Sequence, residues 1–170
     1  MPHHIAIATV AAAHGLDDDL APLVAALDKA DIEHTVANWD DPSVVWSQFD
    51  AVLLRSTWDY AQRLPEFLTW CEQVAAHSTL LNPLDLVRWN TDKHYLLDLA
   101  NAGVAIVESV FVLPGESATR FPDYAEFVVK PAIGAGSRDT QRYTRAERPA
   151  ALEHIQRLLQ AQRAVLIQPY

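Results

Sequence analysis

The sequence is short of several things, and each shortage removes a class of protein. Among 170 residues there is one cysteine, Cys71, so no internal disulfide framework is available and the composition fits a reducing compartment. Basic side chains are scarce. Thirteen Lys and Arg against 22 Asp and Glu leave a formal net charge of -9, which argues against partners that need a basic field, namely DNA, RNA or an anionic membrane. No apolar run is long enough to span a bilayer. The start, Met1-Pro2-His3-His4 followed by a short Ile/Val strand, lacks the basic segment and long apolar stretch of a signal peptide. There is no internal repeat and no low-complexity tract. What remains is 50% hydrophobic, at a length that accommodates one ordinary domain or two small ones around a real core. Together these features predict an acidic, soluble, cytoplasmic protein with no nucleic-acid or membrane partner.

Strand and helix patterns alternate through the first half. His4 to Val10 is β-branched and alternating, and the helical spacing of Leu20, Leu23, Val24 and Leu27 follows it. Between them stand Asp17, Asp18 and Asp19, which are read as carboxylates capping a helix start in preference to a metal site. His34 to Trp39 and Ala51 to Leu54 are further strands. Pro65 opens a helix with Phe67, Leu68, Cys71, Val74 and Ala75 on one side, which makes Cys71 a small core residue rather than a nucleophile. Thr79 to Leu81 is a short strand. This alternation is the mark of a parallel sheet with covered faces. The second half reads differently: a helix from Lys93 to Ala100 stopped by Gly103, extended chain over Val104 to Val112, and a strand from Glu126 to Lys130. A glycine loop (131–138), a strand over Thr140 to Tyr143, a helix over Ala150 to Gln162 and a last strand over Ala164 to Gln168 complete it. The domains divide at 1–82 and 83–170.

The most specific local signal is Phe127-Val128-Val129-Lys130-Pro131-Ala132-Ile133-Gly134-Ala135-Gly136-Ser137-Arg138. An apolar strand delivers a lysine to its end, and a small-residue loop follows whose N–H groups can approach an anion closely. The lysine precedes the glycines, so this is not a Walker A loop, and Asp139 stands where a dinucleotide fingerprint needs its third glycine. A phosphate cradle and a plain hairpin both fit these residues. Lys93 favours the cradle. In the first turn of a helix a cation opposes the macrodipole, and an anion nearby would explain it. Arg55, Trp58, Asp59 and Tyr60 follow the third strand, where ligands of open α/β sheets bind. They could recognise an amino-acid-like zwitterion, or form a loop packed on the neighbouring domain with Trp58 as glue. The seven histidines have no ligand spacing, and Ser56 lacks a hydrolase-elbow frame.

Taken together, Asp92-Lys93, Gly103-Val104, Val128-Val129-Lys130-Pro131 with its Gly/Ser loop, and Val165-Leu166-Ile167-Gln168-Pro169-Tyr170 resemble the ATP-grasp superfamily. Arg55-Ser56-Thr57-Trp58-Asp59-Tyr60 and Arg88-Trp89-Asn90-Thr91-Asp92-Lys93 look closest to its glutathione-synthetase-like branch, which includes the ligase forming the D-cycloserine ring. The resemblance implies an α/β fold: a parallel-sheet, Rossmann-like pre-ATP-grasp domain, then the first α+β subdomain of an ATP-grasp domain. It implies that Lys93 and Lys130 hold ATP phosphates and that Gly134, Gly136 and Ser137 close over them. Gln168, Pro169 and Tyr170 would lie at the adenine edge, and Arg55, Trp58, Asp59 and Tyr60 would bind substrate.

The implied reaction activates a small carboxylate as an acyl phosphate, with ATP and Mg²⁺, for attack by an amine-type nucleophile. The family's Mg²⁺ ligands follow the hinge, so they are expected beyond residue 170, with no metal site within the chain and the 170 residues alone inactive. No catalytic residue is assigned. The alternative reading is a non-catalytic nucleotide- or metabolite-binding α/β module, and a third is an interaction protein that keeps the fold. The strand at Ala164 to Gln168 is expected to lack a neighbour, and such an edge would recruit a second copy of the chain as a homodimer.

Overall fold

A computed structural model describes residues 4–117 and 122–170. Met1, Pro2 and His3, named at the start of the sequence, lie outside the described residues. The chain forms two compact units, residues 1–88 and 89–170.

The first unit is a parallel sheet. Its strands are β1 (His4–Thr9), β2 (Glu33–Asn38), β3 (Ala51–Ser56) and β4 (Thr79–Leu81), in the order β2-β1-β3-β4, with helices α1 (Leu20–Lys29) and α2 (Leu64–Ala75) in the connections. The central strand shows why a parallel sheet forms: Ala6, Ile7 and Ala8 are fully buried, as strands covered on both faces must be. On α2, Phe67, Trp70, Cys71 and Val74 recur at helical spacing and pack into a core with Trp39, Phe49 and Val52. Cys71 is in that core, and burial pushes its thiol up to about 12, so it is inert at neutral pH. A short helix α3 (Leu84–Asn90) follows.

The second unit is an antiparallel sheet. Helix α4 (Tyr95–Asn101) precedes β5 (Val110–Val112), β6 (Glu126–Pro131), β7 (Gln141–Thr144), α5 (Arg148–Gln160) and β8 (Val165–Pro169), with strand order β5-β8-β6-β7. Ala151, Ile155 and Leu158 on α5 seal one face by packing on Phe127, Val129, Tyr143, Val165 and Ile167. The register pairs Val128 with Gln168 and Lys130 with Leu166. Since directly opposed residues share a face and neighbours along a strand alternate, Val128, Lys130, Leu166 and Gln168 lie on the face away from α5.

Three expectations are corrected and one is narrowed. Helix α4 begins at Tyr95, so Lys93 lies ahead of it rather than in its first turn; the Lys93 amide is drawn instead to the Ala132 carbonyl at 3.0 Å. Asp19 stands at the start of α1 but makes no side-chain cap, because the acidic run serves a partner distant in sequence, described below. Only Val110–Val112 of the stretch 104–112 joins a ladder, and Val104 and Val107 are exposed. Finally, β8 is not an edge: β5 pairs with it on one side and β6 on the other, so its backbone groups are satisfied within the unit. No described helix is long and apolar enough to cross a membrane.

Candidate functional site

Lys130 is placed by β6, whose alternation puts Val129 into the core and sends the lysine to the face away from α5, half-buried at the strand's end. The loop that follows folds back so that Lys93, Lys130, Pro131, residues 134–138 and Thr140 line a cavity of about 200 Å³. Glycine is required at two points. A Cβ on Gly134 would stand 3.0 Å from Pro131 Cγ, and Gly136 has φ +60. The turn continues in left-handed backbone at Ser137 (φ 56) and Asp139 (φ 54), and Arg163 pins Asp139 with a 2.6 Å ion pair.

Two cations meet in this cavity. The Lys93 ammonium donates to the carbonyls of Gly134 (3.0 Å) and Ala132 (3.2 Å). Burial lowers its pKa, and the positive charge of Lys130 lowers it further against the opposing pull of Asp92. Burial also lowers the pKa of Lys130. Among the described residues neither lysine has a carboxylate within 4.0 Å, although the chain is acidic. A desolvated pair of like charges without a counter-ion disfavours the fold, and an oligoanion in the cavity would relieve it. So Lys93, Lys130, Gly134, Gly136 and Ser137 come together as one constellation, with a reason for Lys93 different from the helix dipole.

Further along the same face, Gln168 Nε2 donates to Ser109 Oγ at 2.9 Å, and the Tyr170 amide donates to the Glu126 carbonyl at 3.1 Å. Pro169 pairs with Phe127, and the guanidinium of Arg142 sits 3.7 Å over the exposed Tyr170 ring. Sequence reasoning missed two residues on this side. His94 stacks on Phe111 with ring centroids 4.1 Å apart, and its Nδ1 lies 2.6 Å from Asp92 Oδ1. Nothing in the local sequence pairs residues 94 and 111; only the strand order does.

In the first unit the carboxyl end of the parallel sheet carries a tight polar cluster. Arg55 donates to Asp17 (2.7 Å) and Asp19 (3.2 Å), and Ser56 Oγ donates to Asp17. The Asp17 side chain is only 5% exposed, and these bonds, that of Ser56 foremost, hold its carboxyl below the usual range. Asp59 accepts from Trp39 Nε1 (2.9 Å) and from Arg63 (3.0 Å), and Tyr60 packs its ring against Phe67. Trp58 is exposed. Of the four residues singled out after β3, Arg55 and Asp59 are thus already engaged by neighbours, Tyr60 joins the core, and Trp58 faces solvent. Arg63 joins Asp40, Asp59 and Glu66 and lies 4.5 Å over Trp39, and these bonds raise its pKa. It was not singled out in the sequence, where the only hint is its (i, i+3) spacing to Glu66.

Comparison with known proteins agrees with this architecture. Residues 5–82 match the family described as "D-cycloserine synthetase DcsG, N-terminal domain". The cycloserine biosynthesis protein DcsG of Streptomyces lavendulae is 41% identical, over 98% of this chain and 58% of its own. The crystal structure of D-cycloserine synthetase DcsG superposes with a TM-score of 0.89 over 98% of this chain and 59% of that one, at 41% identity. This chain is similar along almost its whole length to part of D-cycloserine synthetase DcsG. The fold extends to remoter structures. A RimK domain protein ATP-grasp from Sphaerobacter thermophilus gives a TM-score of 0.68 at 18% identity, covering 98% of this chain and 63% of that one. The D-alanyl-alanine synthetase A of Vibrio cholerae gives 0.71 at 10% identity, covering 99% and 60%. The chain spans about three fifths of the length of these relatives.

Proposed function

We propose that this chain is the ATP-binding part of a ligase that activates a small carboxylate as an acyl phosphate for attack by an amine-type nucleophile. Residues 1–82 act as the substrate domain and 83–170 as the nucleotide cradle. The observation that carries the reading is the pair Lys93 and Lys130, partly desolvated and with no carboxylate of the described residues within 4.0 Å, around a cavity bounded by the glycine loop. ATP supplies the transferable phosphoryl group. The chain's own residues hold and neutralise it: Lys130 as a point charge fixed by β6, Lys93 as a second charge, and Ser137 as a hydroxyl on the loop. Positioning and charge neutralisation are the main demands of phosphoryl transfer, so no protein nucleophile is needed. Gln168, Pro169 and Tyr170 offer the adenine edge. Among the described residues no group of three or more His, Cys, Asp or Glu is placed to hold a metal ion.

The name of the 41% identical relative suggests an amino-acid-like substrate. In this reading Arg55 and Trp58 make the contacts, while Asp59 and Tyr60 keep their loop in shape. The test is calorimetric titration of the chain with ATP, in the wild type and in Lys93→Met/Lys130→Met. Binding by the wild type that the double substitution abolishes supports the reading. Equal binding by both refutes it.

A further inference from the structure

In the first unit, the residues after β2 and one side of α2 enclose a cavity of about 540 Å³. Its walls include Trp39, Pro42, Trp46 and Trp70, and its polar lining includes Asp41 and Glu66. Glu66, Trp70 and Gln73 reach it together because they recur at i, i+4 and i+7 along the helix. Two of the indoles differ from the third in what covers them. Trp39 is buried edge-on against Phe67 and already carries the Arg63 guanidinium 4.5 Å over its ring. Trp46 and Trp70 have ring centroids 5.0 Å apart at an interplanar angle of 78°, so the two rings form a corner. Among the described residues no cation lies over either of them. A ring face carries the negative lobes of the aromatic quadrupole, and rings set at right angles are how aromatic cages hold an alkylammonium.

The charges around the cavity agree with that geometry. Asp40 and Glu66 are both spent on Arg63. Asp41 is not. It accepts from the Ser43 amide at 2.8 Å and the Ser43 hydroxyl at 2.6 Å, both on Oδ1, and among the described residues no cation stands within 4.0 Å of it. Those bonds hold its carboxyl below the usual range, so it is ionised at neutral pH. Trp70 adds a second unspent group: its Nε1 is buried with no acceptor among the described residues, an unpaired donor in a side chain that lines the cavity. We propose that this cavity binds a small organic cation, its alkylammonium head seated in the corner of Trp46 and Trp70 with Asp41 as counter-ion, and an oxygen of the same ligand accepting from Trp70 Nε1. The volume is in the range of small-molecule sites, roughly 300–1,000 Å³. An anion is disfavoured, because Asp40, Asp41 and Glu66 outnumber the single guanidinium beside them. Every residue involved belongs to the first unit, so the proposal is independent of the nucleotide cradle.

The experiment titrates the chain with choline chloride, against sodium chloride at equal ionic strength, and follows tryptophan fluorescence and the thermal midpoint. It is repeated with the neutral carbon isostere of choline, in which a tert-butyl group replaces the trimethylammonium, and with tetramethylammonium, which has no oxygen. The wild type should bind choline with a Kd of about 1 mM or tighter and the neutral isostere about fivefold or more weakly, the scale of a cation–π attraction. Trp46→Leu should cost choline about fivefold while leaving the isostere within about twofold, and Trp46→Phe should recover part of the loss. Asp41→Asn should weaken choline alone. Because each variant is judged by the ratio of two ligands, a general loss of stability does not imitate these results. The proposal is overturned if the wild type does not bind choline, if choline and its isostere bind equally, or if Trp46→Leu keeps the wild-type ratio between them. Tetramethylammonium binding as tightly as choline overturns the role given to Trp70 Nε1.

Discussion

Replacing Lys130 by methionine should make the second unit more stable and less able to bind ATP, two effects of opposite sign from one side chain. Methionine keeps the unbranched apolar stem and removes the ammonium. Burial lowers the pKa of Lys130 from its ordinary 10.5, so the folded state binds fewer protons than the unfolded state over the interval below 10.5. Stability therefore rises with pH through that interval, and at pH 7 the folded protein carries the full penalty of holding the charge. Lys130→Met removes that penalty and the repulsion it exerts on Lys93. A gain of about 1 kcal/mol is in the range for relief of a functional charge, and for a unit of this size it raises the thermal midpoint by about 4–8 °C. The gain shrinks as pH approaches 10.5. With ATP at about 100 times the wild-type Kd, ligand binding stabilises the wild type by about 2.7 kcal/mol. Losing one contact to a charged group, about 1.5–3 kcal/mol, cuts that response to roughly 0.3–1.3 kcal/mol at the same concentration. Thermal unfolding with and without ATP, at pH 7 and pH 10, measures all of this. A variant less stable than the wild type in the absence of ligand, or one that keeps the full response to ATP, refutes the reasoning.

Other predictions follow from groups whose partners are distant in sequence. Arg63→Ala should destabilise the first unit by about 1–2 kcal/mol, because Asp40, Asp59 and Glu66 lose their common cation and Trp39 its cover; urea unfolding followed by tryptophan fluorescence checks it, and Arg63→Lys should recover only part, since one ammonium cannot span three carboxylates. His154 is buried against Tyr143, and burial first, then Arg157 and Arg163 against the opposing pull of Asp139, lowers its pKa below 6.5. Its neutral form is therefore the one the fold accepts, and stability should fall as pH drops through 6.5, an effect that His154→Phe flattens in unfolding measured at pH 7.5 and 5.5. The depressed carboxyl of Asp17 contributes stability above pH 3.8 that is lost as pH falls through its folded value; Asp17→Asn should remove that acid dependence and lower stability at pH 6, as unfolding at pH 3 and pH 6 would show.

What could be read from the chain, and what could not, follows from the range of the interaction responsible. The α/β alternation was legible because Ala6-Ile7-Ala8 and the Phe67, Cys71, Val74 spacing carry their reason within a few residues. The glycine loop was legible for the same cause: Gly134 is needed against Pro131, three residues away. Asp17 was misread as part of a capping run because its partners, Arg55 and Ser56, are 38 and 39 residues downstream. A local rule about helix starts had no access to a bond made across the sheet from the end of β3.

Lys93 shows the same division within a single residue. Its helix-dipole explanation was local and fails, since α4 starts at Tyr95. Its placement beside the glycine loop depends on a bond to Gly134, 41 residues on. The edge expected at β8 was also a local inference, drawn from an apolar strand near the end of the sequence. Pairing order is a property of the whole unit, and β5, more than 50 residues earlier, fills the open side. The charge pattern that distinguishes the cavity is therefore invisible in the composition, where 13 basic residues among 22 acidic ones suggest that every cation has a counter-ion to spare. It becomes evident when Lys93 and Lys130 meet around one cavity with no carboxylate of the described residues within 4.0 Å, an arrangement that an anion would complete.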